Sequence, residues 1–168
     1  MLLRKHYVAT GYVYDKQTDS FLLVLHKKSG KWLPPGGHLH EGEEPHAGVL
    51  RELFEEVGVE GRIVELLTTP DVATPTVTQL PSPFCVLAET IPASTKEDEH
   101  IHIDFVYILE VNPADLLKPG EAEVERAAWV SSEGIEQIET FENVRRICQA
   151  ISAALSGSQQ SGLKPEIL

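Results

Sequence analysis

The sequence predicts an α+β fold, because β-type segments and two amphipathic helices occur along one chain of 168 residues. The clearest strand is residues 101–111, where apolar residues alternate with other types. The helices are expected at 44–57 and 141–155, but these elements do not define the order of the strands. A chain of this length suits one domain, which we expect over 1–155, followed by a disordered Ser/Gln/Gly-rich tail at 156–168.

The first elements are predicted to form a β-hairpin. Residues 6–15 alternate and are rich in β-formers, and 21–27 form a short apolar run. The residues between them, 15–20, have the composition of a turn. The next segment, 29–39 (SGKWLPPGGHL), contains two prolines and three glycines and is expected to interrupt regular structure.

The helix at 44–57 has recognisable ends. Pro45 suits the first helical position, where its missing N–H costs nothing. Glu43 and Glu44 are placed next to the positive end of the helix dipole. Gly58 is expected to end the helix in a left-handed conformation.

The same helix is predicted to have one apolar and one acidic face. At 3.6 residues per turn, the carboxylates of Glu52, Glu55 and Glu56 fall together on one side. The opposite side, expected to face the core, contains Ala47, Leu50, Leu53, Phe54 and Val57.

The second half of the chain is predicted to consist of strands joined by loops, followed by the C-terminal helix. Strands are expected at 61–69, 83–91 and 125–131, in addition to 101–111. Loops are expected at 70–83, 92–100 and 112–124, the last with room for one helical turn. The apolar face of the C-terminal helix is predicted to contain Val144, Ile147, Cys148, Ile151 and Leu155.

The charge balance limits the classes of partner. With 26 acidic and 14 basic side chains, the formal net charge is −12. Such a surface should bind neither nucleic acid through bulk electrostatics nor an acidic membrane, and an anionic substrate would need cations to mediate its contact. Cys85 and Cys148 are expected to be buried free thiols. We find no signal peptide and no apolar run of about 18 residues, and therefore expect a cytoplasmic protein.

The acidic face of the first helix has two possible explanations. It could be an ordinary solvated face, since charge runs are common. Alternatively, a divalent cation with a preference for oxygen ligands could join Glu52, Glu55 and Glu56, which would remove their repulsion and recruit a polyphosphate.

The surrounding residues favour the second explanation through a resemblance to a known family. Gly37, five residues, Glu43, seven residues and then RELFEEVGV from Arg51 to Val59 resemble the Nudix box, and the preceding KWLPPGG resembles the family's usual lead-in. The resemblance implies an α/β/α sandwich with a mixed β-sheet. It also implies a Mg²⁺- or Mn²⁺-dependent hydrolase in which water attacks a phosphorus of a nucleoside diphosphate linked to another group.

The resemblance assigns roles by position. Glu52, Glu55 and Glu56 would be metal ligands, together with the carbonyl of Gly36. Glu52 could instead be the general base, because the family varies in which residue takes that part, and Glu55 also belongs to the catalytic set. Arg51 would hold the carboxylates in orientation through its forked guanidinium group.

Further site residues are less sharply defined. An additional acidic ligand is expected before the last strand, and Glu123 is favoured over Glu121 and Glu125; the acidic run at 97–99 is a weaker alternative. His38 and His40 precede the helix and are expected near phosphate. The remaining group, His102, Asp104 and Val106, shares one strand face that could border the substrate, although structural roles for such histidines are more common.

The substrate and the assembly remain open at this stage. Members of the family that act on ADP-ribose often have a proline about sixteen positions after the box, where this chain has Pro75, but hydrolysis of nucleoside triphosphates is equally compatible. The alternative to an enzyme is a catalytically silent Nudix-like nucleotide-binding module, in which a box glutamate should be lost; none is. Homodimers are frequent in the family, and nothing in this sequence decides the matter.

Overall fold

The computed structural model describes residues 3–66, 69–95, 97–120 and 122–157. The tail predicted at 156–168 lies, from residue 158 onward, outside the described residues. The elements are β1 (Arg4–Asp15), β2 (Ser20–His26), β3 (Lys31–Leu33), β4 (Gly36–His38), α1 (Pro45–Val57), β5 (Gly61–Ile63), β6 (Cys85–Ile91), β7 (His100–Val111), β8 (Val124–Ser131) and α2 (Glu142–Gly157), with a 3-10 turn at Gly134–Gln137.

The strands of the described residues form one mixed sheet around β1 and β7. These two strands run parallel, with Arg4 paired to His100 and Val13 paired to Leu109. The strand order is β3-β2-β1-β7-β5, while β4 pairs with β1, β6 with β7 and β8 with β2, all antiparallel. The parallel pair is what makes the sheet mixed, as the resemblance implied.

The two helices cover opposite faces of this sheet. One apolar core lies under α1 and contains Ala9, Val13, Leu22, Val24, Val49, Leu53, Val57, Val59, Tyr107, Leu109 and Val124. The other lies under α2 and contains Tyr12, Tyr14, Phe21, Leu23, Val106, Ile108, Ile135, Val144, Ile147, Cys148 and Ile151. The α/β/α sandwich is therefore confirmed, and so is the predicted apolar face of α2.

The hairpin of β1 and β2 is confirmed, but the prediction of irregular structure at 29–39 is wrong. Two short strands, β3 and β4, occupy this segment. Pro34 and Pro35 lie between them, so neither proline has to donate a hydrogen bond within a strand. The carbonyl of Pro35 accepts a hydrogen bond from Gly11 N at 2.8 Å, which connects the segment to β1.

Two other predicted elements differ from the structure. The strand predicted at 61–69 contains only Gly61–Ile63, and residues 67 and 68 lie outside the described residues. The helical turn considered for 112–124 does not occur in the described part of that segment. Asn112 instead accepts a hydrogen bond from Ala114 N at 3.2 Å, an Asx turn that competes with helix formation.

Helix α1 ends as predicted but is rotated relative to the predicted core face. Pro45 occupies the first helical turn, and Gly58 has φ of 75° in the left-handed region. However, Phe54 is 57% exposed, whereas Val49 and Glu56 are buried. The predicted face was centred on Leu50 and left out Val49, which packs toward Gly11 of the central strand.

The cysteine prediction is correct for one residue and wrong for the other. Both thiols are free, and Cys148 of α2 is buried in the core between this helix and the sheet, but Cys85 is only partly buried because β6 pairs along the outer edge of β7. Within the described ranges, no helix combines the length and the apolar character that a membrane span requires.

Candidate active site

A cleft of about 360 Å³ lies between α1, the end of β4 and the residues that lead into β8. Its lining residues are Gly37, His38, His40, Arg51, Glu52, Glu55, Glu56, Gly120, Ala122, Glu123 and Val124. Seven of the eight site residues predicted from the sequence therefore line one cleft. The eighth, Gly36, contacts Glu56.

Strand β4 positions the two box glycines against the helix. Its pairing with β1 sets Gly36 opposite Thr10, and Gly36 N donates a hydrogen bond to Glu56 Oε2 at 3.0 Å. A Cβ atom at Gly37 would lie 2.5 Å from Glu52 Oε1. Because glycine has no side chain, the helix carboxylates can approach the strand backbone directly.

Arg51 is the centre of the hydrogen-bond network in the cleft. Its Nε and Nη2 atoms donate to the two oxygens of Glu43 at 2.8 and 2.9 Å. Its Nη1 donates to Glu52 Oε1 at 2.8 Å and to Glu55 Oε2 at 3.0 Å, and Nη2 also reaches the carbonyl of His38 at 3.0 Å. One guanidinium group therefore orients three carboxylates and the end of β4, as a planar fork with five N–H donors can.

Burial makes ionisation of the inner carboxylates costly. Glu56 is 6% exposed, and desolvation raises its pKa to about 8; the Gly36 N–H opposes this shift, and Glu52 and Glu123 add to it. Desolvation also raises the pKa of Glu52, against the effect of Arg51. The side chain of Glu55, at the mouth of the cleft, is 54% exposed.

This donor set fits a hard divalent cation. Glu52, Glu55, Glu56 and Glu123 provide carboxylate oxygens around one cleft, and Arg51 is the only arginine or lysine among its described lining residues. Carboxylate oxygens are the ligands that Mg²⁺ prefers. The positive charge of a bound cation would offset the desolvation of Glu56 and so favour its ionised carboxylate.

The alternatives for the additional ligand differ in position. Glu123 lines the cleft, with a 70% exposed side chain 3.9 Å from His26 Nε2. Glu125 lies on β8, and Glu121 is outside the described residues. Glu97, from the acidic run considered as a weaker alternative, lies instead beside His6, at 3.6 Å.

The loop before β8 closes the end of α1, a contact that no motif in the chain indicates. Lys118 N donates to the carbonyl of Val57 at 2.8 Å, and Gly120 N donates to that of Glu56 at 3.0 Å. A Cβ atom at Gly120 would collide with the backbone carbonyl of Glu55. The unpaired carbonyls at the end of α1 thus position this loop and, with it, Glu123.

A histidine group lies beyond the cleft on the α2 side of the sheet. His6 pairs with His102 across β1 and β7, and His38 of β4 lies opposite Val8. The His102 ring is 4.9 Å from that of His38 and 5.0 Å from that of His100. Burial and the neighbouring imidazoles lower the pKa of His102 to about 4, so its ring is neutral near pH 7.

The strand face that holds His102 is mostly covered. Asp104 is 5% exposed, and Thr10 Oγ1 donates to its Oδ2 at 2.9 Å. Burial raises the pKa of Asp104 to about 7. Val106 is fully buried in the core under α2. Contact of this face with a substrate remains a prediction.

Comparisons with known proteins identify the family of this chain. Residues 4–148 match the family model of the NUDIX domain. An 8-oxo-dGTP diphosphatase from Proteus vulgaris is 32% identical over 110 residues, which are 64% of this chain and 79% of that protein. A diphosphoinositol polyphosphate phosphohydrolase 3-beta from Bos taurus is 40% identical over 54 residues, 32% of this chain and 33% of its own length.

The fold has a counterpart among solved structures. A NUDIX family hydrolase from Clostridium perfringens superimposes with a TM-score of 0.71 at 25% sequence identity. The match covers 91% of this chain and 99% of that one.

Proposed function

Since this chain belongs to the Nudix hydrolase family, whose members cleave pyrophosphate bonds in derivatives of nucleoside diphosphates, we propose that its cleft binds a divalent cation and the diphosphate together. The observation that carries the proposal is the convergence of Glu52, Glu55, Glu56 and Glu123 on one cleft, with Gly36 bonded to Glu56. The cation is Mg²⁺ or Mn²⁺, both of which favour carboxylate oxygens.

Each residue of the cleft has a proposed task. Glu52, Glu55 and Glu56 hold the cation, with Glu123 and the Gly36 carbonyl as further ligands, and Glu52 or another of these carboxylates accepts the proton of the attacking water. When bound, Mg²⁺ would neutralise phosphate charge and acidify the attacking water. Arg51 keeps Glu52 and Glu55 in position, because its Nη1 bonds both. His38 and His40 line the same cleft and are proposed to contact phosphate.

The proposed substrate class is a nucleoside triphosphate, cleaved to a monophosphate and pyrophosphate. The 8-oxo-dGTP diphosphatase from Proteus vulgaris, which aligns with most of its own length, supports this choice. The alternative, an ADP-ribose type of substrate, depended on Pro75. That residue is exposed in the loop after β5 and is not among the residues that line the cleft. A cytoplasmic location and a homodimer remain predictions.

The proposal is tested with purified protein and a panel of nucleoside triphosphates, ADP-ribose and nucleotide sugars in the presence of Mg²⁺. We expect hydrolysis of triphosphates, measured as pyrophosphate release, and its loss on chelation of Mg²⁺. Glu55→Gln and Glu56→Gln should each lower kcat/KM by about 100-fold or more. Each substitution removes a proposed ligand of the cation that would stabilise negative charge in the transition state.

A matched control separates a specific loss from a general one. Glu125→Gln removes the same charge from an exposed position on β8, and we expect unchanged activity. Equal losses in Glu125→Gln and Glu56→Gln, or full activity of Glu56→Gln, would contradict the proposed site. Activity on ADP-ribose with none on triphosphates would overturn the substrate class alone.

A further inference from the structure

Three imidazoles outside the cleft are arranged like a ligand set. One ring nitrogen each from His6, His100 and His102 lie within 4.8 Å of one another. The closest pair, His100 Nε2 and His102 Nε2, is 3.1 Å apart. Ligand nitrogens around a tetrahedral Zn²⁺ are about 3.3–3.4 Å apart, since each Zn–N bond is about 2.0–2.1 Å. The present spacing therefore needs only small side-chain rotations to surround a cation.

The tautomer of His100 leaves the required lone pair available. Its Nδ1 lies 2.7 Å from the carbonyl of Asp98. A carbonyl can only accept, so Nδ1 carries the hydrogen and Nε2 holds the lone pair. That lone pair accepts a hydrogen bond from His102 Nε2 at 3.1 Å, and a bound cation would take the place of the shared hydrogen. A backbone carbonyl bonded to the second ring nitrogen is the usual way in which a metal-binding histidine is oriented. His100 is 4% exposed, so its ring has little freedom to turn away.

The ring of His6 lies beside Glu97, at 3.6 Å, but makes no hydrogen bond in the described structure. Both of its ring nitrogens are buried from solvent and lack a hydrogen-bond partner in the described structure. Buried polar atoms without partners cost free energy and are uncommon in folded proteins. A cation bound to one nitrogen would satisfy a lone pair that is otherwise desolvated.

A fourth ligand is within reach. Glu97 Oε1 lies 3.6 Å from His6 Nδ1, and Glu97 Oε2 lies 3.9 Å from His100 Nε2. The side chain of Glu97 is 44% exposed and can move toward the three rings. It lies in the loop between β6 and β7, whereas His6 belongs to β1, so a shared ion would connect this loop to the central strand.

We propose that His6, His100 and His102, with Glu97 as fourth ligand, form a second metal site that binds Zn²⁺ or a similar transition-metal cation. The site is distinct from the carboxylate cleft in both ligand type and position. Imidazole nitrogens favour Zn²⁺, Ni²⁺ or Cu²⁺, while the all-oxygen cleft favours Mg²⁺. The two sites are adjacent through His38, whose ring faces His102 and whose carbonyl accepts a hydrogen bond from Arg51.

The test is calorimetric titration of ZnCl₂ into untagged, chelator-treated full chain in the presence of excess Mg²⁺. All proteins carry Glu52→Gln and Glu56→Gln, which removes the carboxylate cleft from the count. We expect one equivalent of Zn²⁺ to bind in this background and in the added His46→Gln control, which changes a histidine outside the cluster. His6→Gln or His102→Gln should abolish that equivalent, with circular dichroism reporting whether each variant is folded.

X-ray absorption at the zinc edge keeps the test decisive where a histidine variant fails to fold. On the protein with native histidines, imidazole scattering from about three rings would support the site. A shell of oxygen ligands alone, absence of bound Zn²⁺, or equal binding by folded His102→Gln and His46→Gln would overturn it.

Discussion

Glu43 shows how one side chain can depend on the geometry of another. Arg51 donates two hydrogen bonds to its carboxylate, and this contact lowers the pKa of Glu43 from 4.5 to about 2. Because the folded-state pKa lies below the unfolded value, the stabilisation is complete above about pH 4.5 and is lost as the pH falls toward 2. Glu43→Gln should therefore lower the free energy of unfolding by roughly 1–3 kcal/mol near pH 6.

The pH dependence distinguishes this ion pair from simple packing. The free energies of unfolding of the wild type and Glu43→Gln, measured in urea, should converge as the pH is lowered from about 6 to about 3. Glu41→Gln, at an exposed position in the same loop, should behave like the wild type throughout. A difference for Glu43→Gln that stays constant with pH would rule out the ionic origin.

The absence of a side chain at Gly37 is expected to matter for the position of the Glu52 carboxylate and to matter little for folding. An added methyl group would approach Glu52 Oε1 to 2.5 Å, and the carboxylate, at the end of a flexible side chain, would have to move. We expect Gly37→Ala to lower kcat/KM by about 10–100-fold, since misplacement of a reacting group by about 1 Å has effects of this size. Its melting temperature should stay close to that of the wild type.

Gly30 provides the opposite case. It has φ of 64°, and apart from its neighbours in the chain no atom of the described residues lies within 4 Å of the position a Cβ would take. Gly30→Ala should cost about 1–2 kcal/mol of stability, because the left-handed conformation is unfavourable for alanine, with kcat/KM unchanged. If the two variants lost activity equally, the steric explanation for Gly37 would be wrong.

At the level of elements, helix α1 places two consecutive apolar residues, Leu53 and Phe54, in different environments. Leu53 is fully buried against the sheet, whereas Phe54 is 57% exposed. Leu53→Ala should lower the free energy of unfolding by about 2–5 kcal/mol through lost burial and a residual cavity. Phe54→Ala should change it by less than about 1 kcal/mol, as exposed substitutions usually do. Comparable losses in urea unfolding would instead support the face first predicted from periodicity.

The elements also show how far the sequence could be interpreted. The ends of α1 followed from Pro45 and Gly58, because proline and glycine act through local backbone geometry. The buried face of α1 did not, since several apolar residues surround the helix and only packing against β1 selects Val49 over Phe54. Strands β3 and β4 were missed for a similar reason: each has three residues and depends on pairing with β2 or β1.

The carboxylates of α1 could be placed from the sequence, whereas the positions of Glu123 and of the histidine cluster could not. The carboxylates of α1 have a fixed spacing in the chain, so the motif placed them on one side of the helix. The position of Glu123 depends on the loop through Gly120, which hydrogen bonds to the end of α1. The histidine cluster depends on the register that pairs His6 with His102, across residues distant in sequence. Contacts of this kind are set by the whole fold and leave no local pattern.

At the level of the whole molecule, both candidate metal sites adjoin β1, the central strand of the sheet. Strand β4 pairs with the middle of β1, from Val8 to Thr10, and carries Gly37 to the cleft. Strand β7 pairs with the other edge of β1 and brings His100 and His102 beside His6. The pairing of β1 with β7 thus positions the histidine group, and its pairing with β4 positions the glycines that face the carboxylates of α1.

The net charge of −12 makes a bound divalent cation important for the molecule as a whole. Carboxylates gathered in one cleft add to a general excess of negative charge, so Mg²⁺ should stabilise the fold more than an equal ionic strength of NaCl. For one site, the expected gain is about 2.7 kcal/mol when free Mg²⁺ is about 100 times its Kd.

The double variant Glu52→Gln/Glu56→Gln should lose this stabilisation by Mg²⁺. Glu60→Gln/Glu133→Gln, which removes two exposed charges elsewhere, should retain it. Thermal unfolding with and without Mg²⁺ measures the difference, and equal stabilisation of both double variants would show that Mg²⁺ acts by general screening and not through the cleft.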